Sequence, residues 1–93
     1  MEACVMTLLE VVGQIDACDP EMTIYATRPW TTNSLCVLLM EEGHLGQPPN
    51  GYDYFLEIFI AREFLEDWKA SLGAEPSMSQ TCARLIQYAV NDA

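Results

Sequence analysis

The sequence predicts an α+β fold: a two-layer sandwich of one helix, a three-stranded, mainly antiparallel sheet and two further helices, in that order. Apolar residues recur at helical spacing at both ends of the chain and alternate with polar ones in part of the middle. The chain is also 51% hydrophobic over 93 residues, enough for one core. Residues 1–93 therefore read as a single domain.

Residues 3–17 carry Val5, Leu8, Leu9, Val12 and Ile15 on one helical face, with Glu10 and Gln14 opposite. Gly13 weakens this helix, and Asp19-Pro20 ends it because the residue before a proline avoids the helical region. Thr23 to Ala26 is the first strand, followed by a turn at Arg28-Pro29-Trp30. Leu35 to Met40 is a second strand, apolar enough to be covered on both faces or buried centrally. Residues 42–51 hold three glycines, two prolines and an asparagine and form a loop. Tyr52 to Ile60 is the third strand, with Tyr52, Tyr54, Leu56, Ile58 and Ile60 on one face and Asp53, Phe55, Glu57 and Phe59 on the other. A helix from Ala61 to Leu72 follows, with Phe64, Leu65, Trp68 and Leu72 inward and Gly73 at its end. Ser77 and Gln80 stand at capping-box spacing and open a last helix whose inner face is Cys82, Leu85, Ile86 and Ala89.

Charge sets this chain apart: fourteen Asp and Glu against four Lys and Arg, a formal −10. With so much apolar material this is no disordered acidic tail. A globule of this mass exposes roughly 5,400 Å², or about 540 Å² per net charge if evenly spread. Duplex DNA has one charge per ~1.7 Å of axis, which on a radius of about 10 Å is one per roughly 110 Å². An even spread is thus about fivefold too dilute to imitate DNA, and only clustered carboxylates could do so.

The sequence offers little from which to assemble catalysis, and the expectation is no enzyme, no cofactor and no metal. His44 is the only imidazole and sits in the glycine-proline loop. No phosphate-binding glycine loop or nucleophile elbow is present. With fourteen acids to choose from, nominating an acid-base pair such as Glu57 and Glu63 carries almost no information. Cys4, Cys18, Cys36 and Cys82 are too far apart in sequence for a C-x-x-C motif. Four reduced thiols are expected, with Cys36 and Cys82 buried. No direct nucleic-acid binding is expected: the aromatics of 52–59 sit among Asp53 and Glu57, the four cations are scattered, and the field repels phosphate. The longest apolar run, 35–40, is far too short for a membrane span, no signal peptide is evident, and a cytoplasmic location is expected.

The informative constellation is acidic. Glu63, Glu66 and Asp67 fall on neighbouring helical positions away from Trp68, and Glu63 repels Asp67 one turn on. Arg62 and Lys69 are each spaced to pair with Glu66 and so reduce that field. Asp53 and Glu57 project from the third strand, and Glu41 and Glu42 close the second. A hairpin between those two strands would bring Glu41 and Glu42 near Asp53. The competing reading is a solvated face that keeps the protein soluble.

Ile24-Tyr25 with Pro29-Trp30-Thr31, the run Tyr54-Phe55-Leu56-Glu57 leading into a helix, and Tyr88-Ala89 with Asn91-Asp92-Ala93 resemble a family of small acidic bacterial proteins of unknown function. The resemblance covers most of the chain and implies an α+β domain that starts with a helix; it implies no activity. In general character the chain is also similar to phage anti-defence proteins, anti-CRISPR proteins among them, and to toxin-immunity proteins. That likeness rests on size and acidity, with no motif behind it.

The function expected is a non-enzymatic inhibitor that binds the basic DNA-binding surface of a nuclease or CRISPR effector. Its contact residues would be Glu41, Glu42, Asp53, Glu57, Glu63, Glu66 and Asp67, each standing in for a phosphate, with Phe55 and Phe59 as apolar anchors. Two other readings stay open: an immunity protein against a basic toxin, and a housekeeping domain or enzyme, the latter favoured by a pocket around His44 and a cysteine.

Overall fold

The computed structural model describes residues 5–40 and 50–92. Its elements are β1 (Met6–Thr7), α1 (Leu8–Gly13), a 3-10 turn (Ile15–Ala17), β2 (Met22–Ala26), β3 (Leu35–Met40), β4 (Asp53–Glu57), α2 (Ile58–Leu72) and α3 (Met78–Asp92). The fold is α+β, with an antiparallel sheet in the order β1-β3-β2-β4. Leu35 and Cys36 lie between β1 and β2, but β1 does not reach Val37 to Met40, and Leu35 and Met40 are exposed despite the apolar character of the run.

Three expectations are corrected. The helix expected over 3–17 is shorter and is preceded by a strand, so the sheet has four described strands, not three. Thr7 ends β1 and caps α1: its Oγ1 accepts from Glu10 N–H at 3.2 Å while Glu10 Oε1 accepts from Thr7 N–H at 2.8 Å. The next orphan donors of α1 reach the β2–β3 loop, with Leu8 N–H donating to Ser34 O and Leu9 N–H to Thr32 O. Gly13 is the last residue of α1 instead of a weak point within it.

The strand expected over 52–60 stops at Glu57, and Ile58–Ile60 are the first turn of α2. Within β4 the alternation also breaks. Ile24 faces Leu56 while Tyr25 faces Tyr54, leaving Phe55 as the extra residue of a bulge. Phe55 and Leu56 are consequently buried in succession.

The third correction is the pairing. The hairpin is β2–β3, and β4 pairs with β2 on its other side. Met40 lies opposite Met22 at one end of β2, and Asp53 lies opposite Ala26 at the other. Strand β3 therefore leaves the sheet far from the start of β4, and the approach of Glu41 and Glu42 to Asp53 expected from a hairpin loses its basis. Glu41, Glu42, His44 and Cys4 lie outside the described residues.

The core sits between the sheet and its helices. Ile24, Ala26, Cys36, Phe55 and Leu56 meet Leu8, Val11 and Val12 of α1, Ile58, Ala61 and Leu65 of α2, and Cys82, Leu85 and Ala89 of α3. Gly73 ends α2 in the left-handed conformation at φ 73°, a geometry that glycine adopts without strain. Ser77 and Gln80 form the predicted capping box at α3: Ser77 N–H donates to Gln80 Oε1 at 2.9 Å and Gln80 N–H to Ser77 Oγ at 3.1 Å. Among the described residues no helix is long and apolar enough to cross a membrane.

Candidate functional site

The described cations are used unevenly. Arg28 lies over the Trp30 ring at 4.2 Å and pairs with Asp53 at 3.5 Å. Arg62 pairs with Asp16 at 3.7 Å rather than with Glu66, as its helical spacing had suggested. Arg84 lies over Phe64 at 4.9 Å and donates to Gln87. Lys69 forms no ion pair among the described residues. Asp16 and Asp53 thus have cationic neighbours, whereas Glu63, Glu66 and Asp67 have none within 4 Å among the described residues.

Those three acids share one surface. In a helix of 3.6 residues per turn, Phe59, Glu63, Glu66 and Asp67 fall within about 100° of arc. All four are exposed, while Ile58, Ala61 and Leu65 occupy the opposite, buried face. Glu63 to Asp67 spans about 6 Å of rise. Three carboxylates over that distance approach the linear charge density of nucleic acid, which is one per ~3.4 Å for each strand. The even spread calculated from composition therefore underrates this face.

The structure sorts the other expected contact residues. Glu57 is half-buried at the junction of β4 and α2, and its carboxylate makes no capping bond to the helix it precedes. Phe59 is 45% exposed. Phe55 is fully buried, 4.9 Å from Trp30 in an edge-to-face contact, so it is a core residue and not an anchor for a partner. Asp53 is exposed but partly neutralised by Arg28, at the end of the sheet away from Glu57.

Sequence reasoning missed the segment that faces the start of α2. Thr23 pairs with Glu57 across β2 and β4, which draws Pro20 and Glu21 to the same place. Pro20, Glu21, Thr23, Glu57 and Phe59 line an open depression of about 340 Å³. No local signal could have found it, because it depends on a pairing between strands about thirty residues apart. A second groove, of about 520 Å³, runs between the end of α2 and α3 beside Trp68, Leu72, Pro76 and Ala83.

Neither the thiols nor metal-ligand groups build an alternative centre among the described residues. Cys18, Cys36 and Cys82 are unpaired. Burial pushes the Cys36 thiol up to about 12 and that of Cys82 to about 11, so both remain protonated and unreactive at neutral pH. Cys18 is also raised by burial, with Arg62 opposing the shift. No group of three or more described His, Cys, Asp and Glu side chains is placed to hold a metal ion.

Comparison with protein-family models, with curated proteins and with solved structures finds no match for this chain.

Proposed function

We propose that this chain is a non-enzymatic binding protein that presents carboxylates to the basic, DNA-binding surface of another protein, such as a nuclease or CRISPR effector, and blocks it. The observation that carries this reading is the outer face of α2. Glu63, Glu66 and Asp67 are adjacent, exposed and without a cationic partner within 4 Å among the described residues, which include all four Lys and Arg. Like charges one turn apart are mildly unfavourable in an isolated helix, and a basic partner relieves that repulsion. Glu57 extends the surface towards the sheet. The formal charge of −10 supplies a long-range field that draws a cationic partner in and repels nucleic acid.

The test is competition. A short fluorescent DNA duplex is bound to a set of basic nucleases and DNA-binding effectors, and displacement by this protein is followed at increasing salt. A partner of the proposed kind is released from DNA at low salt and progressively less as salt screens the interaction. Glu66→Lys and Glu75→Lys each change the net charge by the same amount, at exposed positions on and off the α2 stripe. The first should slow association about tenfold or more, and the second much less. Glu10 and Asp16 make poor controls because the former completes the α1 cap and the latter holds Arg62. Equal losses from the two reversals, or binding of the protein itself to duplex DNA at physiological salt, would overturn the proposal.

A further inference from the structure

We infer that the groove between the end of α2 and α3 seats a second copy of this chain, related to the first by a two-fold axis; this goes beyond the proposed function and does not depend on it. The groove, of about 520 Å³, takes its apolar lining from Trp68, Leu72, Ala74, Pro76 and Ala83, and Glu75 and Arg84 also border it. Leu72 is 43% exposed, and Val90, at 61%, is the most exposed large hydrophobic residue described. Gln80, Ala83, Gln87 and Val90 recur at intervals of three, four and three along α3, the spacing of a helix that packs against another. All four are exposed in the single chain.

Charge selects the occupant. Two copies at −10 repel each other, and least where a face carries no acid. The sequence has none from Met78 through Asn91. By helical period Glu63, Glu66 and Asp67 stand about 100° or more round α2 from Trp68 and Leu72, so they point away from the groove. A basic partner is drawn to those acids and gains no attraction from the α3 face. The two charges beside the groove suit a two-fold. The Arg84 guanidinium is held in place, 4.9 Å from the Phe64 ring centre and donating to Gln87 Oε1 at 3.3 Å. Glu75 is exposed, and neither residue forms an ion pair among the described residues. A two-fold that sets Glu75 of each copy against Arg84 of the other makes one favourable contact twice. The groove engages fewer residues than the about 20–30 a side of a standard interface. The dimer is accordingly weak, with a dissociation constant above about 1 μM.

The experiment is sedimentation equilibrium of the full chain from about 1 μM to about 1 mM, in salt of about 0.3 M to screen the overall repulsion. The mean mass should rise with concentration from the 10.4 kDa of one chain towards twice that value. Ala83→Glu, at an exposed position, should weaken the dimer about tenfold or more by burying an unpaired charge, with the urea midpoint reading whether the variant folds like the parent. Glu75→Arg and Arg84→Glu should each abolish the dimer, because each sets like charges together. Glu75→Arg also lowers the net negative charge, so overall repulsion alone would make it associate more tightly. An equimolar mixture of these two variants should dimerise again, since both contacts are then of opposite sign. A parent that stays monomeric at about 1 mM, a dimer indifferent to Ala83→Glu, or a mixture no more associated than its components overturns the proposal.

Discussion

Helices α2 and α3 have the same length of fifteen residues and press comparable stripes into one core, yet their outer faces differ. The outer face of α2 carries Phe59, Glu63, Glu66 and Asp67, whereas that of α3 is built from Ser79, Gln80, Ala83, Gln87, Val90 and Asn91. No acid occurs from Met78 through Asn91. A charge coat that served solubility alone would have reason to cover both helices. The fold tolerates an uncharged outer helix face at α3, so helix formation alone does not require the carboxylates of α2. That difference is the physical ground for proposing an interaction surface on α2.

The largest effects should come from the faces the two helices share. Leu65→Ala and Leu85→Ala each remove a buried side chain and should destabilise by about 2–5 kcal/mol, read from urea midpoints. Phe59→Ala, at a residue 45% exposed, should stay within about 0.5 kcal/mol. A Phe59 variant as unstable as the Leu65 variant would make Phe59 a structural residue and break the contrast between outer and inner faces.

The two helices also begin differently. Ser77 and Gln80 satisfy each other's backbone donors at α3, while Glu57 precedes α2 without a side-chain bond. Ser77→Ala should cost about 1 kcal/mol. Glu57→Gln should leave stability nearly unchanged while weakening partner binding. A Glu57→Gln loss as large as that of Ser77→Ala, measured in the same denaturant series, would assign Glu57 to the fold.

These starts explain what was legible beforehand. The end of α2 and the start of α3 are written in local chemistry, a glycine free to adopt positive φ and a serine three residues before a glutamine. Thr7 and Glu10 have the same capping spacing, but they lie inside an apolar run that reads as one longer helix. The change from β4 to α2 has no local mark: neither glycine nor proline intervenes, and Ile58 and Ile60 continue the strand's alternation. The alternation therefore places Phe59 on a strand face with Phe55, whereas the helix turn carries Phe59 to the acids and the bulge carries Phe55 into the core. Glu63, Glu66 and Asp67 were legible because helical period alone places them together. The contribution of Pro20 and Glu21 was not, since the pairing of β2 with β4 is set by tertiary packing.

The smallest effect sharpens the comparison most. Glu63 repels Glu66 and Asp67 at spacings of three and four residues, and each such pair costs a helix about 0.2–0.5 kcal/mol at low salt. Replacing Glu63 and Asp67 by Gln keeps side-chain size similar and removes that repulsion. The double variant should therefore be more stable than the parent by a few tenths of a kcal/mol, and the gain should fade as salt screens the charges. An equivalent pair of neutral substitutions on α3, Ser79→Ala and Gln87→Ala, should show no such salt dependence, because no charge is removed. Stability that rises on neutralising α2 while affinity for the basic partner falls would separate the two roles of these acids, with binding favoured at a small cost to the fold. A double variant that loses stability at every salt concentration would instead place Glu63 and Asp67 among the groups that hold the fold together.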